Sequence, residues 1–318
     1  MERRTFVTSA ALGGALPSSP PAAALPAATL GKTGLKVTRL AVGGYHMAVR
    51  GEQEALRILR RAFDLGLNFF DSANSYHNGL SDEILGKAFS GADRQKVIFM
   101  TKCEVYTRDG ALRVLEQQLR RLRTDAIDLW QCHQVGEHSE VDRILGPAGA
   151  LEAFVLAKKQ GKVRHIGFTG HRDPEIHLRL LAAADVWETL QMPVNLVDPH
   201  YLSFLRQVLP EARRRGLGVI AMKSNAMGQI TTQGVAAIGE CLRFAWSQDI
   251  DVLVSGVETV EQLEHNAAAL RAFRPMQPQE ISALLERTAQ GRTGPGVERY
   301  KRPPRQARLT PRPAGPMA

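Results

Sequence analysis

Residues 97–133 read VIFMTKC EVYTRDG ALRVLEQQLRRLRTDA IDLWQCH, and this stretch decides the fold. Val97–Lys102 is a short apolar run that ends in a lysine. Ala111–Leu122 has helical periodicity, and Ile127–His133 is a second apolar run that ends in a histidine. Strands apolar on both faces belong to buried parallel sheets, where a helix carries the chain back between neighbours. The same unit repeats outward in both directions. Before it stand Arg39–Gly43 with Glu52–Leu65, whose Ala55, Leu56, Leu59, Ala62 and Phe63 make one apolar stripe, and Asn68–Asp71 with Asp82–Phe89. After Ile127–His133 come Leu151–Lys159, then Val163–Thr169 with Pro174–Ala183, the latter capped by Asp173 and started by Pro174. Thr189–Met192 with Leu202–Arg215, Gly218–Met222 with Gly234–Ser247, and Val252–Gly256 with Val260–Phe273 complete the series. Eight such units without a linker predict one α/β domain, a closed (β/α)8 TIM barrel, preceded by a lead-in hairpin over Leu30–Leu40 that turns at Lys32-Thr33-Gly34. The competing open sheet lacks its fingerprint. Gly216-Leu217-Gly218-Val219-Ile220-Ala221 matches G-x-G-x-x-A by letters, but it follows a helix and precedes a strand, the reverse of the required order.

Composition sets the outer limits. The chain has 318 residues, 44% hydrophobic, which excludes wholesale disorder. No apolar run reaches the roughly 18–20 residues of a spanning helix, so stable membrane insertion is not expected. Cys103, Cys132 and Cys241 give neither a disulfide framework nor a paired metal signature, and no metal site is expected. Alternation places Cys103 and Cys132 on the opposite strand face from Lys102 and His133. The net charge is +9, and much of it lies at one end. From Arg287 onward, Arg292, Arg299, Lys301, Arg302, Arg305, Arg308 and Arg312 face the single acid Glu298, among many Pro and Gly. Residues 276–318 are therefore expected to be a short helix and then a basic, solvated, disordered tail. With Tyr300 the only aromatic beside those charges, no nucleic-acid partner is expected. At the other end, Arg3-Arg4 with Phe6 is followed by a mildly apolar stretch to Leu16 and a small-residue Ala22-Ala23-Ala24 site. Residues 1–28 read as a twin-arginine signal peptide, with the export machinery as partner and a periplasmic or exported destination; the alternative is a frayed start on a cytoplasmic protein. The barrel is then 29–275.

Barrel enzymes keep their chemistry at the C-terminal ends of the strands. Here Asp71 ends the second strand, with Tyr76 in the loop beyond it. Lys102 ends the third strand, His133 the fourth and Thr169 the fifth; Gln191 lies near the end of the sixth, and Ser255-Gly256 ends the eighth. Singly, each has a plain structural explanation: a lysine reaching solvent, a loop cap, a satisfied interior histidine, a loop anchor. As a set they suit proton donation to a carbonyl. A free tyrosine, with pKa about 10, donates poorly at neutral pH. Lys102, held charged by Asp71, is expected to ease Tyr76 ionisation, while His133 donates to and orients the substrate oxygen. No side chain supplies a hydride, so a nicotinamide cofactor is implied.

These residues resemble the aldo-keto reductase family over roughly Leu30 to Phe273. The resemblance rests on Leu30-Gly31-Lys32-Thr33-Gly34-Leu35-Lys36-Val37, on Phe70-Asp71-Ser72-Ala73-Asn74-Ser75-Tyr76 with Ser81-Asp82-Glu83-Ile84-Leu85-Gly86-Lys87-Ala88, on Thr101-Lys102 and His133, and on Glu261-Gln262-Leu263-Glu264-His265-Asn266. It implies a catalytic tetrad of Asp71, Tyr76, Lys102 and His133, with Tyr76 as general acid, and reduction of an aldehyde or ketone by NADP, with NAD as the alternative. It also implies cofactor contacts at Thr169, Gln191, Met222, Lys223, Gly256, Gln262 and Asn266. Several positions depart from the family pattern. Gly170 and His171 stand where an Asn is usual, and Met222 replaces the ring that stacks on the nicotinamide. Gln262 stands where an Arg often meets the 2′-phosphate, and Glu258 would favour a ribose hydroxyl. Lys223 could meet a phosphate. The altered stacking position leaves a second reading, a nucleotide-binding sensor with little turnover. A Schiff-base lyase on Lys102 is a third, less natural because that lysine must be neutral.

Overall fold

Successive residues of a strand point to opposite sides of a sheet. In the computed structural model, which describes residues 24–289 and 294–302, both sides are covered. Strands β3 (Leu40–Gly43), β4 (Phe69–Asp71), β5 (Ile98–Cys103), β6 (Ile127–Cys132), β7 (Val163–Thr169), β8 (Thr189–Pro193), β9 (Gly218–Met222) and β10 (Val252–Ser255) pair in parallel, each with the next. β10 pairs back onto β3 through Leu253–Leu40 and Val254–Ala41, and the barrel closes. The predicted (β/α)8 barrel is the observed fold. Outward-facing Phe70, Phe99, Cys103, Trp130, Cys132 and Phe168 pack beneath the helices, and the Trp130 ring stacks on Phe154 at 3.9 Å. Inward-facing Phe69, Met100, Leu129, Ile220 and Val252 fill the lower interior. The cysteine thiols thus lie in the outer layer, where burial pushes Cys103 up to about 12 and leaves it unreactive.

The lead-in hairpin pairs β1 (Ala27–Thr29) antiparallel with β2 (Lys36–Thr38) across a short turn at Gly31–Thr33. Its Leu30 and Val37 join the interior cluster and stop the base of the barrel. The approach is close: Gly31 has φ +45°, and a Cβ there would stand 2.1 Å from the Gly218 nitrogen. The hairpin also corrects the boundary drawn at residue 28. Leu25 is already buried and β1 begins at Ala27, so the folded part starts inside the stretch read as a leader. The Arg3-Arg4 pair and the small-residue site at 22–23 lie outside the described residues.

Two further differences concern helices and the C-terminal end. The connection after β6 holds an extra helix, His138–Leu145, before the expected one, which begins at Ala150. The solvated tail is corrected as far as residue 302. After the helix Pro278–Ala289, residues 294–302 run back over the barrel mouth instead of into solvent. The cause is Lys301. Its ammonium, fully buried, lies 2.8 Å from Asp198 and 2.7 Å from Glu298, and donates to the Tyr201 carbonyl at 2.7 Å. Burying a charge is tolerable when it is paired and hydrogen-bonded, and this one is. Residues 303–318 lie outside the described set. No described helix is long and apolar enough to cross a membrane.

Candidate active site

Closure of the barrel brings the four strand-end groups to one place. Met100–Leu129 and Lys102–Gln131 are register partners on β5 and β6, so Lys102 rises from the inner face one layer above the apolar plug. Lys102 Nζ donates to Asp71 Oδ1 and to the Ser72 carbonyl at 2.7 Å, and it lies 3.4 Å from the Tyr76 hydroxyl. Tyr76 opens a tight turn in which His77 (φ 49°) and Asn78 (φ 58°) are left-handed, a conformation Asn and Gly79 take readily. The Tyr76 ring meets the His133 imidazole edge-on at 5.5 Å and Tyr45 at 5.6 Å. Asp71, Lys102 and His133 are buried, and Tyr76 is half-buried.

The electrostatics depart from expectation at two points. Burial drives the Tyr76 phenol well above its ordinary value, with the Asp71 and Glu104 carboxylates adding to the rise. Lys102, though beside it, does not reverse this rise, so Tyr76 is a protonated O–H and not an eased phenolate. Within the ion pair, burial pushes the Asp71 carboxyl up and the Lys102 ammonium down, and each partner offsets the other's penalty. The second departure is His133. Burial lowers it to about 4, against the opposing Glu104, so the ring is neutral at pH 7.

The remaining residues fall in two groups around the same mouth. Thr169 and Gln191 are register partners on β7 and β8, both buried. Gln191 Oε1 has no hydrogen-bond partner, and an amide N–H donor is what would complete it. Met222 ends β9 half-buried beside them. Lys223, in a left-handed conformation (φ 57°), lays its ammonium 5.2 Å over the Tyr300 ring. Burial and the neighbouring Lys102 lower it to about 8. It has no carboxylate partner among the described residues. The second group lies past β10. Asn266 donates to Ser255 Oγ at 3.0 Å, and Gln262 accepts from the Glu258 N–H at 2.8 Å. Gly256 has the His46 ring so close that a Cβ would fall 2.4 Å from Nδ1. Sequence reading missed several residues of the mouth: Glu104, which meets His133; His46; and Tyr300, which reaches in from the C-terminal segment. It also missed Asp82, which accepts from Thr101 at 2.8 Å and from Gln118 at 3.2 Å beneath Lys102. A cleft of about 410 Å³ opens beside the tetrad, lined by Glu104, Tyr106, Gln134, Glu140, His171 and Arg172 among others. No group of three or more potential metal ligands occurs among the described residues.

A closed parallel barrel with a buried Lys–Asp pair and a phenol at its mouth defines the class, and comparison with known proteins gives the family. The model of the Aldo/keto reductase family matches residues 39–239. Arabidopsis thaliana L-galactose dehydrogenase is 28% identical over 311 residues, covering 81% of this chain and 93% of that protein. Two solved structures share the fold. The aldo-keto reductase AKR11C1 of Bacillus halodurans in its holo form has TM-score 0.71 at 21% identity, covering 86% of this chain and 99% of that one. An aldo-keto reductase of Klebsiella pneumoniae in complex with NADPH has TM-score 0.67 at 22% identity, covering 85% and 98%. The chain belongs to the aldo/keto reductase family.

Proposed function

We propose that the protein reduces an aldehyde or ketone to the alcohol, with NADPH as the preferred donor and NADH as the alternative. The observation that carries this reading is the convergence of Asp71, Lys102, Tyr76 and His133 around one opening, 3.4 Å separating Lys102 Nζ from the Tyr76 oxygen. The orphaned Gln191 oxygen suits a carboxamide N–H, and Thr169 beside it suits the same amide. Met222 offers a thioether to a flat ring. Gly256, Gln262 and Asn266, grouped past β10, are the residues assigned to the adenosine end, and Lys223 would offer a cation to anionic groups of cofactor or substrate. A bound dihydronicotinamide would supply the hydride. The chain's own part is the proton: Tyr76 O–H donates to the substrate oxygen, and Lys102 stabilises the phenolate left behind, itself held by Asp71. The decisive experiment is Tyr76→Phe. Turnover of simple aldehydes should fall at least 100-fold, in line with the typical contribution of a positioned acid, with cofactor affinity unchanged. Equal turnover in the two proteins would remove Tyr76 from that role. Steady turnover in wild type also separates this reading from a sensor that holds a nucleotide without cycling. The Arg3-Arg4 segment supports a further proposal, export by the twin-arginine route.

A further inference from the structure

We propose that Asp82 is a positioning residue for the reaction: a second buried carboxylate, behind β5, whose charge holds Lys102 in its ammonium form. Asp82 lies in the first turn of the helix Leu80–Ala88 and is fully buried, as are Thr101, Gln118 and Trp130 around it. Alternation turns Lys102 into the barrel and its neighbour Thr101 outward, toward the helices. The hydrogen bonds there fix one another. An indole N–H can only donate, so the Gln118 atom that meets Trp130 Nε1 at 2.9 Å is the amide oxygen. The amide nitrogen is then the end that faces Thr101 Oγ1 at 2.7 Å, the Lys102 carbonyl at 3.0 Å and Asp82 Oδ2 at 3.2 Å. Thr101 Oγ1, already an acceptor, gives its own hydrogen to Asp82 Oδ1 at 2.8 Å. Both oxygens of Asp82 therefore accept, the pattern of a carboxylate. Burial raises the Asp82 carboxyl, and the hydrogen bonds from Ser72, Thr101 and Gln118, with the Arg121 charge, oppose that rise.

The charges that face Lys102 show what a second anion adds. Burial lowers the ammonium, and Asp71 on β4, Asp82 behind β5 and Glu104 just past β5 each oppose that loss. Lys223, past β9, works the other way, because the two cations repel. His133 on β6 is neutral at pH 7, and Tyr76 is protonated. Asp71 and Glu104 help Lys102 at a cost, since both also raise the Tyr76 phenol. Asp82 supports the same ammonium from the far side of the strand. The network it anchors also holds the strand end, through the Gln118 bond to the Lys102 carbonyl, while Lys102 Nζ donates to the Ser72 carbonyl at 2.7 Å. A role in turnover rests on the carbonyl-reductase reading above; the charge state of Lys102 does not.

The test follows Lys102 itself, in the full chain with carbon-13 at lysine Cε, as wild type, Asp82→Asn and Thr101→Val, with Lys102→Met to assign the signal. The Cε shift reports whether Nζ is protonated, and the titration runs from about pH 6 to 10.5, bracketing the ordinary lysine value. In Asp82→Asn, Lys102 should lose its proton about one pH unit or more below wild type, the low end of what a neighbouring opposite charge is worth. Thr101→Val breaks the same network but leaves the anion, so its Lys102 should titrate with wild type. A shift in Thr101→Val as large as in Asp82→Asn makes the effect one of structure and overturns the proposal. So does a Lys102 signal that Asp82→Asn leaves unchanged, including one that stays ammonium throughout in both proteins. The alkaline limb of the rate with NADPH and propanal should move with the Lys102 titration, at unchanged NADPH affinity. A moved titration with an unmoved limb overturns the role in the reaction. Should Asp82→Asn not fold, Asp82→Ser, a neutral group that still accepts, takes its place in the same titration. If wild type reduces no aldehyde, the carbonyl-reductase reading fails, and the titration still decides what Asp82 does to Lys102.

Discussion

Replacing Lys301 with methionine should unlatch the C-terminal segment from the barrel mouth. The ammonium is fully buried between Asp198 and Glu298, at 2.8 and 2.7 Å, and those carboxylates are fully buried too. Methionine fills a similar volume, so the loss is chiefly electrostatic: two buried acids face each other without their cation. Breaking a buried pair by removing one partner costs about 3–5 kcal/mol. At about 1.4 kcal/mol per factor of ten, amide exchange at residues 297–302 should accelerate roughly 100- to 4000-fold, while exchange in β5 and β6 is unchanged. The defect should also depend on pH. Burial already raises Glu298 against the opposing Lys301, and losing that cation raises it further. A carboxyl whose folded-state pKa lies above its unfolded value is stabilising in acid, and that contribution disappears as pH rises through the folded value. The mutant segment should therefore be better protected at pH 5 than at pH 8, after correction for intrinsic exchange. Exchange within threefold of wild type, or an equal defect at both pH values, would refute the electrostatic account.

Two other predictions address acid stability and export. His177 is buried between Phe168 and Phe204, and burial lowers it to about 4. Because the unfolded chain takes up a proton there that the folded chain refuses, stability should fall as pH drops from about 6.5 to 4, and His177→Gln should flatten that slope by up to about 1.4 kcal/mol per pH unit in urea titrations. Changing Arg3 and Arg4 together to lysine should retain the full-length chain in the cytoplasm of a twin-arginine-competent bacterium. Unchanged fractionation would leave the export proposal without support.

The barrel was legible because its information is periodic. Apolar runs such as Ile98–Met100 and Val252–Val254 must be covered on both sides, and a run of β/α units of this length has few ways to do that. The strand-end polar groups were legible for the same reason: Lys102 and Asp71 interrupt otherwise apolar strands. What stayed hidden depends on pairings across the fold. Glu104 looks like any loop acid until β5 and β6 are laid side by side and its carboxylate falls against His133. Lys301 was read with its neighbours, and a run of Arg and Pro argued for solvent. Its partner Asp198 lies 103 positions away, and only three-dimensional closure shows that one basic residue in that stretch has somewhere to go. The extra helix His138–Leu145 was overlooked because its buried residues, Val141 and Ile144, give too short an apolar stripe to stand out.

The raised phenol of Tyr76 is compatible with the proton-donor role proposed for it. The argument for a depressed tyrosine assumes that the acid must approach neutrality to act. In carbonyl reduction, the acceptor is an oxygen that becomes alkoxide-like as hydride arrives at carbon, and an alkoxide is a stronger base than a phenolate. A phenol above its usual value can still transfer its proton downhill, while staying fully protonated beforehand. The charges around it fit that order of events. Asp71 offsets Lys102 in the resting site, so no free cation strips the phenol early. When the proton leaves, the new phenolate lies 3.4 Å from Lys102 Nζ, with Lys223 also close enough to Lys102 for the two cations to repel. The raised value means that the site as a whole disfavours the phenolate, a penalty that Lys102 can only reduce, so the drive for transfer comes from the more basic alkoxide.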